Sequence, residues 1–387
     1  MTKSEKFVSD LCSKSFLPFW SFPSPIGKKN NELCDLLVIC DKHIIIISVK
    51  DIEPSKHEDE TNVYTRWVKK AIHESVSQIY GAEKYINSVD TIQLKNADYT
   101  VDLPPKNKRI IYRIAIAFGS KPHFPLPTGH FGKGFVNVFD ENSTMTILKE
   151  LDTITDFTNY LVEKQSFSEK NTILVPFETD FLALYLETGL KFEIDENIVL
   201  GGENLWEEYV KSEKYLKWER EKEVSYVFDI MIQSFFLYNK DLYKTKENRN
   251  NLEKAIRIIA LEPRINRIKL GLAIENAIKN NVKSRMLTPY GNAEHTYVFM
   301  RVTENNWESK DSELGLRCIV ARAEFPQAKI IIGVSIYRTK EDVISFDFHY
   351  IHIPDLDDKF IKIANSIKSE LGLFKNVKRT HSKEIRE

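Results

Sequence analysis

Two apolar runs, 36–40 (LLVIC) and 43–48 (HIIIIS), flank the polar pair Asp41-Lys42. Short apolar runs separated by two turn-forming residues predict a β-hairpin with a tight turn. Pairing Cys40 with His43 sets its register, and Asp35 then falls directly across from Ser48. Strand side chains alternate with period two, so Lys50 points to the same face as Ser48. A carboxylate and a lysine thus meet at the open end of an otherwise apolar hairpin.

Other periodicities extend the picture. Residues 3–14 have helical spacing, with Phe7, Leu11 and Cys12 on one stripe, and an aromatic, proline-rich loop spans 16–32. The polar stretch 51–62 leads into a long helix over 63–88, whose inward stripe reads Trp67, Ala71, Ser75, Gln78, Ala82, Tyr85. Two polar side chains, Ser75 and Gln78, interrupt that stripe. Strands at 109–119 and 135–139, a helix at 153–165, a strand at 172–176 and a helix at 180–187 complete a first domain, 1–198. Gly201-Gly202 marks the linker to a second domain, 199–387. The second domain is helical and highly charged to 285. Beyond that it alternates strand (296–302), helix (312–324), strands (328–337 and 343–353) and helix (358–371), ending in a basic tail expected to fray. The fold class is α/β, followed by a helical and α+β C-terminal domain.

Composition narrows the function. A chain of 387 residues with 42% hydrophobic content can build two cores. Lys plus Arg (55) nearly balances Asp plus Glu (56), so nucleic-acid binding would have to come from a local patch. Cys12, Cys34, Cys40 and Cys318 form no CxxC pair and have no His at zinc spacing, which suits buried, reduced thiols of a cytoplasmic protein. The charged N-terminus lacks a signal-peptide core, and no apolar stretch approaches the ~18 residues that span a bilayer. A cytoplasmic location with no membrane partner is expected.

Metal-assisted phosphodiester hydrolysis needs carboxylates to hold Mg²⁺, a positioned water and a cation to stabilise charge on phosphorus. Asp35 supplies one ligand and the Val49 carbonyl a further one. Lys50 could orient the water and neutralise the transition state. Gln78 reaches the same pocket if its helix packs across the sheet.

These residues resemble the PD-(D/E)XK, or restriction-endonuclease-like, nuclease superfamily over roughly the first 190 residues. The hallmark of that superfamily is an acidic residue opening one strand of a hairpin, then (D/E)-x-K at the end of the next. A following helix often carries a Gln-x(n)-Tyr pair. This chain offers Asp35, then Ser48-Val49-Lys50, then Gln78 with Tyr85 at a longer spacing. The order of elements looks like the family's αβββαβ core. The resemblance implies Mg²⁺- or Mn²⁺-dependent cleavage of nucleic acid, with DNA as the first expectation. It also implies a role as a bacterial effector of antiviral defence, with a C-terminal domain that binds a protein partner or nucleic acid. A homo-oligomer is compatible with this reading.

One position departs from the pattern: Ser48 stands where the family has Glu or Asp. Glu32 is the nearest replacement, Glu5 or Asp10 on the first helix could also reach the site, and alternation turns Asp51 to the opposite face. The alternative is a catalytically inactive module that binds nucleic acid or a protein within a multi-subunit system. The plainest alternative is a rim salt bridge between Asp35 and Lys50, worth under about 1 kcal/mol.

For nucleic-acid contact, Arg66, Lys69 and Lys70 cluster at the start of the long helix, and Lys106, Lys108, Arg109 and Arg113 before and within the next strand. Arg264 and Arg267 could form a further patch. The segment 129–135 (GHFGKGF) lacks P-loop spacing and reads as a turn between strands, and alternation sends His349 and His352 to opposite faces.

Overall fold

The computed structural model describes residues 1–54, 59–95, 100–121, 124–192, 198–202, 204–238, 245–338 and 344–374. The basic tail expected to fray lies outside them. The chain divides into two compact units, one of Met1–Glu223, Ile232–Arg249 and Ala260–Arg264, the other of Val224–Met231, Asn250–Ile259 and Ile265–Glu387. The boundary expected at 198/199 falls inside the first unit, which continues through two further helices.

The first unit opens with α1 (Lys3–Ser15), β1 (Ser21–Pro23), β2 (Leu36–Cys40) and β3 (His43–Asp51). A capping box at Thr2 and Glu5 starts α1. Helix α2 (Glu60–Trp67), a π-helical segment (Val68–His73) and α3 (Glu74–Ser88) follow, then β4 (Thr91–Gln93), β5 (Thr100–Asp102), β6 (Ile110–Phe118), β7 (Gly129–His130) and β8 (Phe135–Phe139). The main sheet has the order β1-β2-β3-β6-β8-β7. Its first two pairings are antiparallel, β3–β6 and β6–β8 are parallel, and β7–β8 is antiparallel. A parallel pair needs a crossover, and α2 through α3 supplies it between β3 and β6.

Every position of β2 is buried, so both faces of the sheet are covered. On one face Leu37, Ile39, Ile44, Ile46, Ala115, Ala117 and Val138 pack against Trp67, Ala71, Ile72, Ile79, Ala82 and Ile86. On the other, Phe7 of α1 meets Phe118 edge to face, and α4 (Glu141–Glu150) packs on β6 and β8. The pattern 63–88 was expected to be one regular helix. The π-helical segment widens a turn and shifts the later stripe, so Ile79 and Ile86 lie deepest while Gln78 and Tyr85 take its flank. Helix α4 had not been anticipated, although Asp140 caps it by accepting from Ser143 N at 2.8 Å.

The remainder comprises α5 (Ile154–Lys170), β9 (Thr172–Leu174), α6 (Glu178–Glu187), β10 (Ile198–Leu200), α7 (Leu205–Tyr209), α8 (Glu213–Lys222), α9 (Tyr226–Tyr238), α10 (Lys246–Leu261) and α11 (Arg264–Lys279). The second unit then holds β11 (Ser284–Met286), β12 (His295–Arg301), α12 (Lys310–Glu324), β13 (Ile330–Arg338), β14 (Ile344–His352) and α13 (Asp358–Glu370). Its sheet runs β11-β12-β13-β14, with β12 and β13 parallel across α12. Leu314, Cys318 and Ala321 of α12 bury against Val298, Met300 and Ile331. Gly333 permits this approach, since a Cβ there would lie 2.8 Å from both Cys318 Sγ and Leu314 Cγ. Among the described residues no helix is long and apolar enough to cross a membrane. All four cysteines are buried.

Candidate active site

The hairpin closes with Cys40 opposite His43 and Leu36 opposite Ile47, so continuing the register sets Asp35 across from Ser48. Asp41 takes a left-handed φ of 52° at the turn, which Asp tolerates better than most residues. Asp35 is only 6% exposed. Its backbone carbonyl accepts from Ser24 N at 3.0 Å, and its Oδ2 accepts from Val49 N at 2.6 Å. On an extended strand a residue's N–H and C=O face the same neighbour. The Val49 carbonyl therefore turns to the side on which Asp35 sits.

Glu32 meets Asp35 at the strand mouth. Partial burial pushes its carboxyl above the usual range, and the hydrogen bond to Asp35 and that group's charge push it further. A hydrogen bond with Ser24 opposes the shift, and the charge of Glu5 adds a smaller rise. The same two charges, after burial itself, help hold the Cys34 thiol well above its ordinary value. The hairpin thus ends in a pair of like charges held close together.

Beside that pair, Gln78 ties α3 to β3. Its Oε1 accepts from Ser48 Oγ at 2.7 Å and from Lys50 Nζ at 3.1 Å. Ser48 is fully buried, and the amide oxygen satisfies a hydroxyl that would otherwise be costly there. Ser75, also fully buried, bonds back to Ala71 O at 2.8 Å within its own helix and stays out of the site. Asp51 accepts from Ser4 of α1, on the opposite face from Lys50, as its parity requires. Glu5 serves the α1 cap through Thr2 N at 2.8 Å, and Asp10 lies exposed. Among the described residues no group of three or more His, Cys, Asp or Glu is arranged to hold a metal.

The basic residues separate by environment. Arg66, Lys69 and Lys70 are exposed along α2 and the π-helical segment. Arg109 instead caps the C-terminal end of α3, donating to Ile86 O at 2.6 Å, Val89 O at 3.0 Å and Pro104 O at 2.8 Å. Arg113 clasps Glu83, with Nε 2.7 Å from Oε2, while Lys106 and Lys108 stay exposed and Lys106 stands 3.8 Å from Asp90. Arg264 and Arg267 are buried rather than part of a surface patch. Arg264 pairs with Asp152 at 2.8 Å and Arg267 with Asp229 at 2.5 Å. No local signal in the sequence separates an arginine that caps or pairs inside from one that meets solvent. Ser24 was also missed as a neighbour of the acid pair; its left-handed φ of 46° arises from loop closure that no periodicity encodes.

Compared with protein-family models, with curated proteins and with solved structures, the chain matches none.

Proposed function

We propose that the first unit is a metal-dependent nuclease domain with a restriction-endonuclease-like αβββαβ core, hydrolysing phosphodiester bonds of nucleic acid, DNA in the first instance. The observation that carries this reading is the placement of two carboxylates, Glu32 and Asp35, against each other beside a lysine–glutamine pair. Like charges in a partly buried corner oppose folding, and a divalent cation would relieve that repulsion. Two carboxylates and a backbone carbonyl are hard oxygen donors of the kind Mg²⁺ takes, with water filling the remaining positions. Glu32 thereby stands in for the acid that Ser48 replaces. When bound, the ion would supply Lewis-acid polarisation of the phosphate.

The chain's own residues do the rest. Asp35 and Glu32, with the Val49 carbonyl, would hold the ion. Lys50, oriented by Gln78, sets a cation where negative charge builds on the phosphoryl oxygens. Metal affinity is expected to rise with pH through the raised pKa of Glu32, because binding must displace the proton that group retains. In this reading the second unit serves a protein or nucleic-acid partner, and the whole acts as a defence effector.

The test incubates purified protein with plasmid, linear and single-stranded DNA, and RNA, with Mg²⁺ or Mn²⁺. Wild type is expected to cut, and Asp35→Ala and Lys50→Ala to lose cutting. Wild type that cuts nothing, or variants that cut equally well, would sink the proposal. A second reading is an inactive module that binds nucleic acid or a protein partner. It is favoured by one observation: Ser48 and Lys50 both spend a donor on Gln78 Oε1. A module of that kind would keep its affinity for nucleic acid in EDTA and show no saturable Mg²⁺ site.

A further inference from the structure

The turn between β7 and β8 carries a lysine that neither its pairing nor its burial accounts for. Gly132 and Gly134 adopt φ of 94° and 137°, a backbone that L side chains rarely adopt. A Cβ on Gly134 would also meet the Arg113 guanidinium at 3.0 Å, and Arg113 is itself held by Glu83 of α3. Gly134 O accepts from Tyr80 Oη of α3 at 2.7 Å, and Phe131 packs edge to face on His73 of the π-helical segment. The tip is therefore tied to the helix layer at two points, with Arg113 of β6 packed against Gly134.

Lys133 is exposed in that turn, two residues from the Phe131 ring that meets His73, and Lys69, Lys70 and His73 are exposed within five residues of one another on the π-helical segment. Two other exposed lysines, Lys121 and Lys217, stand 3.6 Å from Glu60 and 3.9 Å from Glu221. Among the described residues Lys69, Lys70 and Lys133 form no ion pair.

We infer that Lys69, Lys70 and Lys133 form one two-element surface that binds the phosphodiester backbone of nucleic acid without reading its sequence. Unpaired cations on two clamped elements are complementary to a regular row of phosphates, and phosphate contacts of this kind position a duplex rather than specify it. The inference deepens the nuclease reading by naming where the substrate backbone is held, but the binding itself needs no catalysis.

The experiment measures fluorescence anisotropy of fluorescein-labelled 20-base-pair duplexes of DNA and of RNA, with the full chain in EDTA, across a salt series. Each lost phosphate contact lowers the slope of log affinity against log salt by about 0.9 for B-form DNA. Lys69→Gln/Lys70→Gln/Lys133→Gln is expected to flatten that slope by about 2.7 and weaken binding at least tenfold at low salt. Lys133→Gln alone should take about a third of the slope change, and Lys217→Gln none. Binding with an unchanged slope in the triple variant overturns the surface, as does wild type that binds neither duplex. Circular dichroism confirms that the variants are folded. Wild type that binds with the expected slope yet cuts nothing when Mg²⁺ is restored leaves the surface standing and removes the nuclease reading. Cutting that is indifferent to the triple variant does the reverse.

Discussion

Two partly buried charge clusters of the first unit handle charge in opposite ways. Lys164 of α5 donates to Glu178 Oε1 and Oε2 at 2.6 and 2.5 Å, and Tyr160 Oη donates to Oε1 at 2.7 Å. Its ammonium also stands 5.2 Å from the centre of the Phe139 ring. Every charge there has an opposite partner, and the price of burial is met by hydrogen bonds and a π face. At Glu32 and Asp35 two like charges share a corner, and the nearby lysine bonds to an amide. A buried pair that serves structure is neutralised within the chain. In the proposed reading the Glu32–Asp35 pair is left to be neutralised from outside, by a metal ion.

Four outcomes would break or sharpen the comparison. The largest concerns the satisfied cluster: Lys164→Ala strands a buried carboxylate and is expected to cost about 3–5 kcal/mol, read by urea denaturation. Replacing both partners, Lys164→Met with Glu178→Leu, should recover part of that loss; equal losses in the two variants would mean that packing, not charge, dominates there. At the other cluster, Lys50→Ala should lower cleavage about 100- to 1,000-fold while stability moves by under about 1 kcal/mol. A stability loss matching that of Lys164→Ala would place Lys50 among the structural charges.

Next in size is Arg109, which the sequence grouped with phosphate contacts. Arg109→Ala removes three charge-assisted bonds, two at the end of α3 and one to Pro104 O, and should cost about 1.5–3 kcal/mol in thermal unfolding, with the salt slope of duplex binding unchanged. A flattened slope with intact stability would return it to the binding surface. The smallest effect is a pH dependence. Glu32 titrates higher in the folded chain than in the unfolded one, so the folded state binds more protons between the two values. Its contribution is full below the ordinary carboxylate range and is lost as pH rises through the raised value. Melting temperature should therefore fall across that window in wild type and fall less in Asp35→Asn, which removes the neighbouring charge. Parallel profiles would mean the two carboxylates do not interact.

Much of the site's frame was legible. Alternation and a two-residue turn were enough for the hairpin register, because strand parity is a local property with period two. The same parity placed Asp51 on the far face, where Ser4 meets it. The strand 135–139 and the helices around α1, α5, α12 and α13 followed from equally local spacing. The stripe of the long helix was read less well: the π-helical segment inserts an offset that a regular period cannot reveal, so Ile79 and Ile86 replaced Gln78 and Tyr85 at its centre. The charges were the least legible, since Arg66 and Arg109 look alike in sequence and differ only in what folds around them.

By itself, then, the sequence determined that Asp35, Ser48 and Lys50 share a face at the end of a buried hairpin. Tertiary structure decided that Glu32 comes to Asp35, that Gln78 takes the donors of Ser48 and Lys50, and that the turn carrying Lys133 is tied to Tyr80 and His73. The reason is one of range. Parity along a strand is fixed by bonds within a few residues, whereas the meeting of loop, helix flank and hairpin tip depends on how whole elements rotate and pack.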